Sequence, residues 1–224
     1  MGTVNPKGGF SAALTGRQWI APEILEFRLR RPAGFDFIPG QFVRFDMGGY
    51  QREYTMISKQ GDATIDFCID VKEPGHFSSA IQAADIGAIF KIIGPLGHFI
   101  HQGTTARPAV FVATGTGVAP FVAFCRTGVR GALLLHGVGD PGRLIYRQVL
   151  RDGVQSYVAC ISREFAGAGG DHFPGRVTRY LESQLPPGTY DFYLCGGRAM
   201  IRDAVAIIDR RFDGSRLFVE AYND

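Results

Sequence analysis

In the stretch VATGTGVAP, residues 112–120, Gly115 and Gly117 stand two apart at the end of an apolar run. Between a strand and a helix, glycines so spaced let backbone amides and a helix N-terminus approach a phosphate without a Cβ in the way. The third glycine of the usual dinucleotide fingerprint is missing, and Pro120 takes its place. A second group, Arg52-Glu53-Tyr54-Thr55, carries a guanidinium that can pair with a pyrophosphate, a flat ring that can stack, and a hydroxyl that can bond a ring nitrogen. On a strand, Arg52 and Tyr54 share one face and Thr55 takes the other. Both groups also have a plain structural reading: β-to-α turns favour glycine, and four such residues suit an ordinary edge strand.

The elements that must hold these groups follow two different patterns. From Thr15 to about Gly94 apolar residues alternate with polar ones: Leu25, Phe27 and Leu29; Val43, Phe45 and Met47; Ile65, Phe67, Ile69 and Val71. Period two over short segments, with turn signals at Ala21-Pro22, Pro39-Gly40 and Gly48-Gly49, predicts antiparallel strands closing into a barrel or sandwich, with a helix near Ser78 to Ala84. After Arg107-Pro108 the runs AVFVA, ALLLHGV, SYVACIS, DFYLC and RLFVEAY are solidly apolar. Amphipathic stretches separate them at Leu144 to Leu150, Val177 to Leu185 and Ile201 to Arg211. That alternation predicts an α/β domain around a five-stranded parallel sheet buried on both faces. The boundary falls near residues 101 to 108, giving domains 1–104 and 105–224.

Composition narrows the class. The chain has 224 residues, 46% hydrophobic and 20% charged, the balance of a soluble globular protein. A net charge of +3 comes from dispersed Lys and Arg, without the like-charge run that would track nucleic acid or an anionic membrane. Cys68, Cys125, Cys160 and Cys195 show no CxxC pair, so free thiols, a reducing compartment and no metal are expected. The start MGTVNPKGGF lacks a signal-peptide pattern, and the longest apolar tract, Ala109 to Phe124, is too interrupted to span a bilayer. A cytoplasmic location is the default.

Seven short motifs follow in order: RxY[ST] at Arg52, Tyr54 and Thr55; GxxS at Gly75 and Ser78; GPxG at Gly94, Pro95 and Gly97; GxGxxP at Gly115, Gly117 and Pro120; SRE at Ser162 to Glu164; CGG at Cys195 to Gly197; and VEAY at Val219 to Tyr222. Together they resemble the ferredoxin-NADP reductase family over nearly the whole chain. The resemblance implies FAD held by the barrel, a nicotinamide dinucleotide held by the α/β half, and hydride transfer between them. Arg52 would bind the flavin pyrophosphate, Tyr54 would stack on the isoalloxazine, and Thr55 would bond near the hydride-accepting nitrogen. His76, Phe77 and Ser78 would lie at the helix start that receives the flavin phosphates, chiefly through the main chain. The plain alternatives are an exposed turn for His76 and a core anchor for Phe77. Thr114, Gly115, Thr116, Gly117, Cys195 and Gly196 would line the nicotinamide side, with Cys195 as a positioning residue. His98 is left out of the site.

Asp140 lies near the distance at which an acid would bind an NAD ribose. The resemblance points instead to Ser162 and Arg163, which would recognise the 2′-phosphate of NADPH, with Arg176 or Arg198 as possible additions. Tyr222 would cover the flavin's other face with Glu220 beside it, although Asn223 and Asp224 extend past the aromatic where many family members end. The implied activity is an FAD-dependent oxidoreductase passing a hydride between NADPH and FAD, and single electrons between FAD and a small carrier, ferredoxin or flavodoxin. Two alternatives stand beside it: an NADH-dependent reductase component of an oxygenase or haem-protein system, and a non-catalytic nucleotide-binding docking subunit.

Overall fold

The computed structural model describes residues 9–71, 75–103, 106–163 and 172–222. Glu164 of the SRE motif, Thr104 and Thr105 at the expected domain boundary, and the Asn223-Asp224 extension lie outside the described residues. The chain divides into two compact units, Met1–His101 and Gln102–Asp224.

The first unit contains β1 (Phe10–Ala21), β2 (Ile24–Arg30), β3 (Phe42–Met47), β4 (Tyr50–Thr55), β5 (Thr64–Asp70), α1 (His76–Ala83) and β6 (Ile89–Leu96). Its strands form one antiparallel sheet in the order β4-β3-β6-β1-β2-β5. Beyond β4 the chain returns toward the far end of the sheet, where the Ile57 amide donates to the Asp66 carbonyl (2.9 Å) and curls it on itself. Leu25, Phe27, Leu29, Val43, Phe45, Ile65, Phe67 and Ile69 are buried as their alternation requires. The cross-strand pair Phe27 and Phe67 stacks at 5.0 Å. Glu26 departs from the pattern. Expected among the outward polar residues, it is buried, with Gln18 Nε2 and Arg28 Nη2 each donating to its Oε1 at 2.9 Å. Two such donors offset the cost of taking a carboxylate out of water.

The second unit contains β7 (Ala109–Thr114), α2 (Ala119–Arg126), β8 (Leu133–Val138), α3 (Arg147–Gly153), β9 (Ser156–Ile161), β10 (His172–Pro174), α4 (Val177–Ser183), β11 (Asp191–Gly197), α5 (Arg198–Arg211) and β12 (Arg216–Tyr222). All its strand pairs are parallel, in the order β10-β9-β8-β7-β11-β12. The sheet has six strands rather than the five expected, because β10 is only His-Phe-Pro and presents no apolar run to read. Helix α3 begins at Arg147, later than the Leu144 expected, since Tyr146 adopts a left-handed backbone (φ 53°) that a continuing helix excludes. Helix α5 starts earlier than expected, at Arg198.

The strand order fixes where this unit can bind. Chain growth runs outward from β7 to β8, β9 and β10 on one side, then returns to β11 and β12 on the other. Open parallel sheets bind ligands at the carboxyl ends of the strands where that direction reverses. Here the reversal lies between β7 and β11.

Candidate functional site

In the first unit the site is built around the edge strand β4. Directly opposed residues of an antiparallel pair share a face, so Tyr50, Arg52 and Tyr54 stand on the same side as Met47, Phe45 and Val43. Because β4 ends the sheet, this side opens outward at Arg52 and Tyr50, both exposed. On the opposite side Glu53 pairs with Arg44 (2.7 Å). Thr55 closes the strand and is buried.

Arg52 is held in a defined orientation. Its Nη1 donates to the Gln51 carbonyl (2.9 Å) and its Nη2 to the Tyr50 hydroxyl (2.8 Å), while the guanidinium carbon sits 4.5 Å from the Tyr50 ring centroid. A guanidinium carries five N–H donors, so three are left for a ligand. Tyr50 also meets His76, the first residue of α1, at 4.7 Å between rings. Tyr54 packs on Phe77 (4.7 Å) and Phe45 (5.9 Å). Burial pushes its phenol up to about 12, against the opposing pull of Arg52, so it remains a neutral hydroxyl at ordinary pH.

The start of α1 adds a second set of donors. The amides of His76, Phe77 and Ser78 have no acceptor within the helix, as in any first turn, and the helix dipole favours an anion there. Ser78 Oγ is engaged locally: it accepts from the Gly75 amide (2.9 Å) and donates to the Gly75 carbonyl (3.1 Å). Phe77 is buried against Phe45 and Phe27, so its side chain is a core anchor and only its backbone can face a ligand. Arg52, Tyr50, His76 and this helix start thus converge on one positively biased corner. A pyrophosphate fits such a donor set.

In the second unit, Thr114 ends β7 and a tight 3₁₀ turn over Gly115–Val118 leads into α2. Pro120 lies in the first turn of α2, where a missing N–H leaves no hydrogen bond unmade. The two glycines serve different needs. Gly115 has φ +55° with nothing within 4 Å of where a Cβ would stand, so its backbone conformation is the constraint. At Gly117 a Cβ would fall 2.7 Å from the carbonyl carbon of Cys195 and 2.8 Å from the Cα of Gly196. Besides the ligand approach expected of it, this glycine admits the end of β11. Gly196 (φ +144°) in turn has no room for a Cβ beside the Thr114 hydroxyl. Thr114, Gly117, Cys195 and Gly196 therefore interlock at the reversal point, with Gly115 and Thr116 in the same turn.

Cys195 is fully buried on β11, flanked in register by Ala113 of β7 and Glu220 of β12. Tyr222 pairs with Gly197 as the last residue of β12 and is half-buried, so it is a strand residue rather than a frayed tail. Two strands away from β7, a distance of about 10 Å, Ser162 and Arg163 extend the pairing of β9 with β8. Their amides donate to the carbonyls of Val138 (3.0 Å) and Gly139 (3.2 Å). The exposed Arg163 side chain lies across Gly139, its Nε 3.4 Å from where a Cβ would be. Asp140 turns to its own chain, with Oδ1 accepting from the Gly142 amide (2.7 Å). Arg176 precedes α4 and Arg198 opens α5.

Comparison with known proteins gives the two units a name. Residues 12–101 match the model of the oxidoreductase FAD-binding domain, and residues 111–206 that of the oxidoreductase NAD-binding domain. Over 203 residues the chain is 28% identical to ferredoxin-NADP reductase B of Sorangium cellulosum, covering 74% of this chain and 83% of that one. The chain carries an oxidoreductase FAD-binding domain followed by an oxidoreductase NAD-binding domain, and it is similar to ferredoxin-NADP reductases. It is an oxidoreductase with an FAD-binding and a nicotinamide-dinucleotide-binding domain.

Other similar proteins are named for different systems. The toluate 1,2-dioxygenase electron transfer component of Pseudomonas putida is 29% identical over 213 residues, which cover 87% of this chain and 62% of that protein's length. A ferredoxin NADP+ reductase from Neisseria gonorrhoeae, solved with bound FAD and NADP, superposes with a TM-score of 0.81 over 95% of this chain and 98% of that one, at 19% identity. That likeness establishes the fold. No helix among the described residues is long and apolar enough to cross a membrane. Among the same residues no group of His, Cys, Asp or Glu is arranged to hold a metal ion.

Sequence reasoning missed Tyr50. The signal was present, since an aromatic two residues before Arg52 on an alternating strand must share its face. Gly139 was missed as well, because its importance lies in which side chain crosses it.

Proposed function

We propose that this chain transfers a hydride from NADPH to FAD and passes electrons singly to a small carrier protein, ferredoxin or flavodoxin. Bound FAD would supply the chemistry, a two-electron acceptor that can release electrons one at a time. The chain's part is binding and orientation. Arg52 and the first turn of α1 would grip the flavin's pyrophosphate, while Tyr54 and Thr55 would meet its ring system. Thr114, Gly115, Thr116, Gly117, Cys195 and Gly196 would seat the nicotinamide end of the second cofactor at the reversal point of the parallel sheet. Glu220 and Tyr222, at the end of the neighbouring strand β12, would guard the same place.

The observation that carries the choice of NADPH is Arg163 lying exposed over Gly139 while Asp140 bonds its own turn. A cation is thereby offered where an NAD-binding protein offers a carboxylate. The modest net charge of +3 suits an acidic carrier.

A second reading keeps the fold and changes the circuit: an NADH-linked reductase serving an oxygenase. It is favoured by the similarity to the Pseudomonas putida dioxygenase component. Steady-state oxidation of NADPH and NADH with an artificial acceptor separates the two. We expect a higher kcat/KM for NADPH, and equal or better use of NADH would overturn the cofactor assignment. Purified protein that stays colourless after FAD is added would instead mark a docking subunit without turnover.

A further inference from the structure

Tyr50 has no place in the reading above, yet three contacts converge on it. It stands at the start of β4, 38% exposed, on the face of that strand that carries Arg52. Its hydroxyl accepts from Arg52 Nη2 at 2.8 Å, its ring lies 4.5 Å from the guanidinium carbon, and the same ring meets the His76 ring at 4.7 Å. An exposed aromatic on an edge strand needs no such arrangement for stability, because its hydroxyl could bond water as well.

The consequence for Arg52 is a loss of freedom. An exposed arginine samples many rotamers, and a ligand must then pay for ordering it, about 0.5–1.5 kcal/mol for a rotamer-rich side chain. Here one donor on each Nη is already engaged, to the Gln51 carbonyl and to Tyr50. The plane of the guanidinium is set before any ligand arrives. The same tyrosine links that plane to the start of α1, so the two donor groups of the corner are braced against each other through one ring.

We infer that Tyr50 is a positioning residue for diphosphate recognition, holding Arg52 and the His76 end of α1 in the arrangement that receives the phosphates of a flavin dinucleotide. This inference rests on the reading of Arg52 as the pyrophosphate ligand. Tyr50 itself need not touch the flavin ring, so its contribution belongs to the phosphates alone.

The test uses the full chain freed of flavin, titrated with FAD and with riboflavin, which shares the ring but carries no phosphate. The variants are Tyr50→Phe, Tyr50→Leu, Arg52→Ala and the double variant Tyr50→Leu/Arg52→Ala. Tyr50→Phe removes one hydrogen bond and should weaken FAD about threefold. Tyr50→Leu also removes the ring and should weaken it about tenfold. Riboflavin affinity should not change in either, and Tyr50→Leu should cost less once Arg52 is already alanine, because only the part acting through His76 and α1 is then left to lose. A parallel loss of FAD and riboflavin would show that Tyr50 merely supports the barrel, and an undiminished effect in the Arg52→Ala background would show that it acts elsewhere; either overturns the inference. Wild-type protein that binds no FAD would bring down the underlying reading with it. Wild-type binding of FAD with unchanged affinity in the variants would bring down this inference alone. If Tyr50→Leu does not fold, Tyr50→Phe decides by the same FAD-to-riboflavin comparison.

Discussion

Gly117 and Cys195 meet backbone to backbone: a methyl group on Gly117 would fall 2.7 Å from the carbonyl carbon of Cys195. The turn after β7 and the end of β11 are thus held together by the absence of an atom. Gly117→Ala must push two backbones apart, and overpacking of this kind costs about 1–3 kcal/mol. Gly115→Ala projects its methyl into open space and carries only the left-handed backbone penalty, about 1–2 kcal/mol. Thermal melts should show a lower Tm for both variants. Nicotinamide-nucleotide affinity measured by titration should fall more for Gly117→Ala, since only that change displaces Cys195; equal affinities would remove the interlock from the site.

Arg163 supplies the next test. Arg163→Ala should weaken NADPH by about 10- to 100-fold, the range of a charge-assisted hydrogen bond to phosphate, and leave NADH nearly unchanged. Gly139→Ala should change NADPH affinity little by comparison, because the new methyl would stand in ordinary van der Waals contact 3.4 Å from Arg163 Nε and leave the charge in place. Equal losses for both nucleotides would refute the 2′-phosphate role.

Much of this arrangement could be read from the chain alone. Alternation at Leu25, Phe27 and Leu29 and the solid runs of the second half are direct imprints of one-sided and two-sided burial, so both architectures were legible. Glu26 escaped because burial of a carboxylate is decided by distant partners, here Gln18 and Arg28. Strand β10 escaped because three residues carry no period. At the site, residue types were legible and their partners were not. The close approach of Cys195 and Gly196 to Gly117 was not legible, since a sequence cannot say which backbone lies across from a glycine. Tyr50 was overlooked since its importance comes from touching Arg52 and His76 together.

His136 on β8 gives a pH prediction. Its ring is fully buried, with Nδ1 bonded to the Tyr157 hydroxyl (2.9 Å) and Nε2 without a partner among the described residues. Burial pulls its pKa down from 6.5 to about 3. Between those two values the unfolded chain binds a proton that the native state refuses. Stability is therefore complete above about pH 6.5 and falls as pH drops toward 3, by up to about 1.4 kcal/mol per pH unit. His136→Phe should flatten this component, visible as a smaller difference in denaturation midpoint between pH 7 and pH 4.5. Unchanged pH dependence in the variant would assign the loss to carboxylates instead.

The thiols should be inert in the folded protein. Cys68, Cys125, Cys160 and Cys195 are buried, and burial pushes Cys125 up to about 11 and Cys160 up to about 12. A thiol-reactive chromogen should label the native chain slowly and all four cysteines once denaturant is added. Rapid labelling of Cys195 in the native state would show that the end of β11 opens far more readily than its packing indicates.

The three residues of β10 also bear on how this protein behaves in a crowded solution. A parallel sheet with two apolar faces would, at an open flank, invite a strand from another molecule to join it. Here the flank ends in His172, Phe173 and Pro174, too short to offer a ladder and terminated by a residue with no N–H to give. The shortness that hides this strand from sequence inspection, with Pro174 at its end, also discourages the sheet from continuing into a neighbour, which makes β10 a guard against aggregation as much as an edge.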